Sequence, residues 1–218
     1  MCNLYDIGRP CGRKDYGWEK AIVKTLEEVE STLEKRFGIR KTDPGLVVTD
    51  SGSGPEASLM RWGFDRPFNN AINNAINNAR SDKLDGMWST AWEKRQRCLI
   101  PVSTFYEWTG STGSKQTYAF QSPDDDAVIW AAGLWEDRKG ERAYAMLTTN
   151  ASEQVSEIHH RMPVLLRKEN HEKFLKESNP VELLAPWRHE LEIFRCYNPL
   201  KNPKDHKGPQ REDFLPGF

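Results

Sequence analysis

The chain has 218 residues, 37% of them hydrophobic, and a formal net charge of −1 from 31 basic and 32 acidic side chains. Such a length buries roughly 70% of its unfolded surface, enough for one compact core, and the near-neutral balance excludes bulk basicity as a route to nucleic acid, leaving only a local basic face. Four scattered cysteines, Cys2, Cys11, Cys98 and Cys196, form no Cys-x-x-Cys pair, which argues against a zinc site or a disulfide framework and for reduced thiols.

In chain order, residues 17–37 space Trp18, Ile22, Leu26, Val29, Leu33 and Phe37 along one stripe with charges between, which predicts an amphipathic helix. Asp43 to Ser58 is rich in Gly, Pro, Ser and Asp around the apolar run Gly45 to Thr49, the pattern of an edge strand followed by a flexible loop. Asn69 to Arg80, NNAINNAINNAR, repeats a four-residue unit. It is too short for a solenoid and reads as a local duplication whose asparagines favour turns and caps. From Arg97 the runs CLIPVSTFYEW, QTYAFQS, AVIWAAGLWED and RAYAMLTT, separated by STGS, PDDD and RKGE, predict a mostly antiparallel sheet. Helices are expected near Ser152 to His159 and from Lys168 to Lys176, then a strand near Leu191 to Tyr197. An irregular tail begins at about Asn198, pinned by Phe214 and Leu215. No linker divides the chain, and it shows neither a charged leader with an apolar run nor the roughly 20 apolar residues that span a bilayer, so a cytoplasmic protein with no membrane partner is expected.

Cys2 is the first residue with chemical promise. Once Met1 is trimmed, a free α-amine with a reference pKa of about 7.7–8.0 would sit beside a thiol near 8.5. Such a 1,2-aminothiol forms a Schiff base with an aldehyde through the amine, and the thiol then closes a thiazolidine. From position alone, the plainer reading of Cys2 is a small second residue without a role. Glu107 lies within Phe105-Tyr106-Glu107-Trp108, where burial against aromatics would raise its pKa toward acid–base use; an outward Glu on a half-exposed strand fits the pattern as well. His159 and His160 precede Arg161-Met162-Pro163 and could shuttle protons or cap a helix. Arg61-Trp62-Gly63-Phe64, Trp88, Arg66 and Arg80 mix cations with flat rings, as single-strand binders do. Most of the eight tryptophans are better read as core.

Taken together, Met1-Cys2-Asn3, Asn78-Ala79-Arg80, the run Arg97 to Pro101 leading into Phe105-Tyr106-Glu107-Trp108, and His159-His160-Arg161-Met162-Pro163 resemble the SRAP (SOS response-associated peptidase) family over nearly the whole chain. The resemblance implies an α+β fold in a single domain over residues 1–218, with a mostly antiparallel, barrel-like β-sheet core flanked by helices. It implies a sensor that crosslinks Cys2 to the ring-opened sugar of abasic sites in single-stranded DNA, with lyase-like chemistry and autoproteolytic removal of Met1. Carried over residue by residue, Cys2 is the nucleophile, Asn78 places the N-terminus and the opened sugar, Glu107 is the acid–base group and His159 opens the ring. Trp62, Arg80, Thr148 and Arg161 would contact the DNA. No metal or cofactor is implied; replication-fork proteins are candidate partners, and a monomer, nucleoid-associated when bound to DNA, is the expected state. Two alternatives use the same residues: a thiol peptidase acting on other proteins, and a non-covalent single-strand binder. The sequence departs from the family at Asn3-Leu4, where many members continue Cys-Gly-Arg, while Cys11-Gly12-Arg13 restores that triplet internally. It also lacks the usual Asn-Val-Ala-Pro segment after the first helix.

Overall fold

The computed structural model describes residues 2–8, 28–29, 31–65, 75–124, 128–138 and 140–212. Its strands, in chain order, are β1 (Leu4–Asp6), β2 (Ile39–Arg40), β3 (Pro44–Asp50), β4 (Pro55–Trp62), β5 (Phe64–Asp65), β6 (Ala75–Ile76) and β7 (Asn78–Arg80). They continue with β8 (Arg97–Val102), β9 (Thr104–Thr109), β10 (Gln116–Gln121), β11 (Ile129–Arg138), β12 (Glu141–Asn150), β13 (Arg161–Pro163), β14 (Leu165–Leu166) and β15 (Glu192–Cys196). Short helices α1 (Ser89–Glu93), α2 (Glu153–Ser156) and α3 (His171–Lys176) lie between them. This is an α+β architecture dominated by antiparallel strands.

The larger sheet follows the order β12-β4-β3-β8-β11, and β11 pairs back onto β12, so these strands close into a barrel. All neighbours in that ring are antiparallel except β4 and β12, which run parallel. Closure leaves no free edge in the ring, and both faces of its strands are buried: Leu46, Val48, Leu99, Ala132, Leu134 and Leu147 share one face, and Val47, Met60, Cys98 and Met146 the other. A second sheet, in the order β15-β10-β9-β1-β2, lays the N-terminal strand against β9 with Tyr5 opposite Phe105. Phe105 and Phe120 stack within it at 4.6 Å between ring centroids.

The described structure corrects several sequence expectations. The run CLIPVSTFYEW is two strands in two sheets, because the chain turns at Ser103, whose amide and hydroxyl both donate to the Asp6 carbonyl at 2.8 and 3.2 Å. Gly8 passes this corner at φ +84°, where a Cβ would lie 2.7 Å from the Ser103 side chain. The segment expected as an edge strand is β3, which pairs on both sides, with β4 and β8; burial on both faces explains its continuous Leu46-Val47-Val48 run. Of the helix expected over 17–37, residues before 28 lie outside the described residues, and helical structure stops at Ser31. There the Ser31 and Thr32 hydroxyls turn back onto the Glu28 and Val29 carbonyls, the local competition that ends helices. The helix near Ser152 is a single turn that finishes before His159. Within the described tail, Cys196 bridges Arg211, while Phe214 and Leu215 lie outside the described residues.

Arg97 ties barrel to periphery. Its guanidinium donates to the carbonyls of Phe174, Glu177, Ser178 and Trp92, at 3.0, 2.6, 2.9 and 3.3 Å, and lies 4.1 Å from the Trp92 ring centroid. Those carbonyls include the orphaned C-terminal groups of α3, so a buried cation does the work of a C-cap. Burial pulls its pKa down to about 10, which leaves it charged at neutral pH.

Candidate active site around the N-terminal cysteine

Cys2 is buried ahead of β1, its thiol 3.5 Å from the Leu4 carbonyl. Its own carbonyl accepts hydrogen bonds from the Asn78 side-chain amide at 2.8 Å and the Asn77 amide at 3.4 Å. Asn77 also reaches the Asn3 side chain at 3.3 Å. Two adjacent asparagines thus hold the first residues of the chain by backbone and side chain. Asn78 can do so because β7 is pinned to β12, with Asn78 opposite Met146 and Arg80 opposite Thr148.

The antiparallel pairing of β1 with β9 runs the N-terminal residues alongside Glu107, whose charge acts on the Cys2 thiol. Burial first, and that charge second, push the thiol well above its ordinary range. Glu107 is 2% exposed, and burial pushes its carboxyl up to about 7 against the opposing pull of the amino-terminal charge. The same terminal charge is felt at His159, whose pKa is lowered mainly by burial. His159 Nδ1 lies 3.0 Å from the Arg161 amide and 2.9 Å from the Arg161 carbonyl. The amide can donate to a neutral ring and the carbonyl can accept from a protonated one, so one backbone site serves both states. The ring stacks on His160 at 4.5 Å.

Beside this centre β7, β12 and β13 converge. The Arg161 guanidinium is buried and donates to the Thr148 carbonyl at 2.5 Å and to Asn150 at 2.9 Å. Thr148 is buried, its hydroxyl 3.4 Å from the Ala79 carbonyl. Arg80 is exposed and grips Asp82 with two donors, at 3.1 and 2.6 Å. Cys2, Asn78 and Glu107 are therefore brought together, with His159 within electrostatic reach, while Arg80, Thr148 and Arg161 form an adjoining cluster.

Trp62 falls elsewhere than expected. It is wholly buried, edge-on to Tyr5 at 5.0 Å, and its indole N–H donates to the Asn77 carbonyl at 2.8 Å. Instead of offering an open face to a base, it props the asparagine segment from below. Sequence reading also missed Asn77 and Asp82. The doubled asparagines hinted at the first, and an acid two residues after Arg80 at the second, but neither contact follows from spacing. Cys11, whose Cys11-Gly12-Arg13 triplet restores the family pattern internally, lies outside the described residues.

Fold and site together define the class: a closed β-barrel protein with a buried thiol and a buried carboxylate at the start of the chain, and an imidazole that feels the amino-terminal charge. The profile of the SOS response associated peptidase (SRAP) family matches residues 10–202, and the chain belongs to that family. It is 27% identical over 193 residues to the abasic site processing protein YoqW of Bacillus subtilis, covering 81% of this chain and 85% of that protein. It is 31% identical over 196 residues to the abasic site processing protein HMCES of Gallus gallus, covering 73% of this chain and 58% of the longer relative. In fold it is similar to a crystallised protein of Bacteroides thetaiotaomicron, with TM-score 0.73 at 20% identity over 94% of this chain and 97% of that one.

Proposed function

We propose that this chain captures abasic sites in single-stranded DNA through a covalent bond from Cys2 once Met1 is removed. The reading is carried by one observation: Asn78 fixes the Cys2 carbonyl at 2.8 Å beside a buried carboxylate held near neutrality. Names of the relatives, abasic site processing proteins, support the substrate class.

Because burial keeps the thiol protonated, the amine is the first nucleophile. His159 donates a proton to the ring oxygen and takes one back from the anomeric hydroxyl as the sugar opens, and the Cys2 amine adds to the exposed aldehyde carbon. Glu107 takes the proton released from nitrogen and returns one as water leaves, giving an imine. The Cys2 sulfur then adds to the imine carbon, its proton passing to nitrogen, and a thiazolidine closes. The balance is one bond each from nitrogen and sulfur to carbon and one water lost. Asn78 keeps the nucleophile in position, a contribution of geometry. Arg80 and Arg161 bind the strand through its phosphates.

Chain with Met1 removed, incubated with single-stranded DNA carrying an abasic site, should form a heat-stable adduct whose intact mass is the sum of the two minus one water. Cys2→Ala, its Met1 removed by an added aminopeptidase, should reduce it to a borohydride-trappable imine. An undiminished heat-stable adduct from Cys2→Ala overturns the thiazolidine. The Cys2–Glu107 pair also supports self-removal of Met1, so purified Cys2→Ala chain should retain Met1 under conditions where the wild type loses it. Cys2-dependent hydrolysis of unrelated peptides would point instead to a peptidase, and equally tight binding of undamaged DNA without any adduct to a plain strand binder.

A further inference from the structure

One carboxylate occupies the ground between the two arginines of the strand-binding cluster. Asp82 accepts from Arg80 at 3.1 and 2.6 Å and lies 3.3 Å from Arg161. Its side chain is 49% exposed, that of Arg80 51%, and that of Arg161 only 5%. The hydrogen bond from Arg80 holds the Asp82 carboxyl far below the ordinary range, so it is ionised at every working pH. Arg161 is fixed from behind by Thr148 and Asn150, whereas Arg80 and Asp82 face solvent. A carboxylate between two guanidinium groups reproduces the geometry in which arginines hold a phosphate. Half-exposed ion pairs contribute little net stability, so such a stand-in is easily exchanged.

We infer that Asp82 is a built-in competitor for a backbone phosphate: it fills the Arg80–Arg161 position in the free protein and must swing away when a strand binds. This deepens the reading of the site given above, on which it rests. In the empty site Asp82 offsets the repulsion between two neighbouring cations, evident in the effect of Arg80 on Arg161. When a phosphodiester arrives, the cations are already placed, and the cost of entry is the exchange of one anion for another. Asp82 thereby sets the threshold at which the protein accepts a strand, and weak contacts with undamaged nucleic acid are filtered out.

The test is equilibrium binding of an undamaged oligothymidylate, which has no aldehyde and so reads the phosphate site apart from Cys2 chemistry. Asp82→Asn should bind about tenfold more tightly at low salt, with a salt slope steeper by about 1 as another phosphate becomes paired. In an Arg80→Gln background the same substitution should give little gain. Glu172→Gln, which frees Lys176 from a similar exposed pair, serves as control and should change nothing. Unchanged or weaker binding by Asp82→Asn, with the fold intact by circular dichroism, would show that Asp82 organises the arginines and would overturn the proposal. So would an equal gain from Glu172→Gln or a full gain without Arg80. Failure of the crosslink with the Asp82 effect intact would sink only the covalent reading.

Discussion

Glu107 holds its proton up to about pH 7 because burial strips water from a carboxylate that ordinarily ionises near 4.5. The folded state therefore binds that proton more tightly than the unfolded chain does. The favourable linkage is complete below about 4.5, is lost as pH rises to about 7, and above that the ionised group opposes folding. Glu107→Gln should accordingly be more stable than the wild type at pH 8, by about 2 kcal/mol, with the difference gone at pH 4; urea melts at the two pH values measure it. The same substitution should slow crosslinking by about a hundredfold or more and abolish the rise in single-turnover rate through pH 7. Asn78→Ala removes the donor to the Cys2 carbonyl. It should cost about 1 kcal/mol of stability and slow adduct formation about tenfold or more with the pH profile unchanged in shape, because it moves the nucleophile and leaves the titrating groups alone.

Elements here are held by a few close approaches that cross the barrel. On β3, Gly45 lies where a Cβ would collide with the hydroxyls of Tyr5 and Tyr144, which hydrogen-bond to each other beneath the N-terminal strand. Gly45→Ala should destabilise the fold by about 2 kcal/mol, seen as a lower urea midpoint. Arg97 on β8 answers four carbonyls, including those at the end of α3. Arg97→Met should cost about 3 kcal/mol or more by leaving those carbonyls buried without donors, and hydrogen exchange should quicken first in α3. At this scale the sequence was legible where one rule governed. Alternation and apolar runs marked β8 to β12 correctly as strands. The division of one run at Ser103 was hidden, because a corner needs only a serine and a partner carbonyl from Asp6, ninety-odd residues away.

Distant parts of the chain meet at Asp6, which is fully buried on β1. It accepts from Tyr106 at 2.6 Å and from the Gly38 amide at 2.6 Å, and lies 3.0 Å from His206 Nε2. Tyr106 neighbours Glu107 on β9, so the tail and the strand that carries Glu107 share one carboxylate. His206→Ala should loosen residues 198–212, detectable as faster limited proteolysis there, while leaving the barrel's melting transition nearly in place. A net charge of −1 adds a second consequence for the molecule: under the proposed function, attraction to DNA would rest on the local arginines, and Arg80→Gln should weaken strand binding and flatten its salt dependence.

The sequence by itself determined which chemical groups were available. Cys2, Glu107 and His159 could be named as candidates for nucleophile, proton acceptor and proton donor because their reactivity resides in single side chains and short motifs, and the strand content of the second half followed from local periodicity. Only the tertiary structure decided which groups meet. The closed ring of strands, the seat of Trp62 beneath Asn77, the grip of Asn78 on Cys2 and the carboxylate of Asp82 between two arginines join residues far apart in the chain. Strand pairing and burial set those distances, and both are properties of the packed core, which local sequence patterns do not encode.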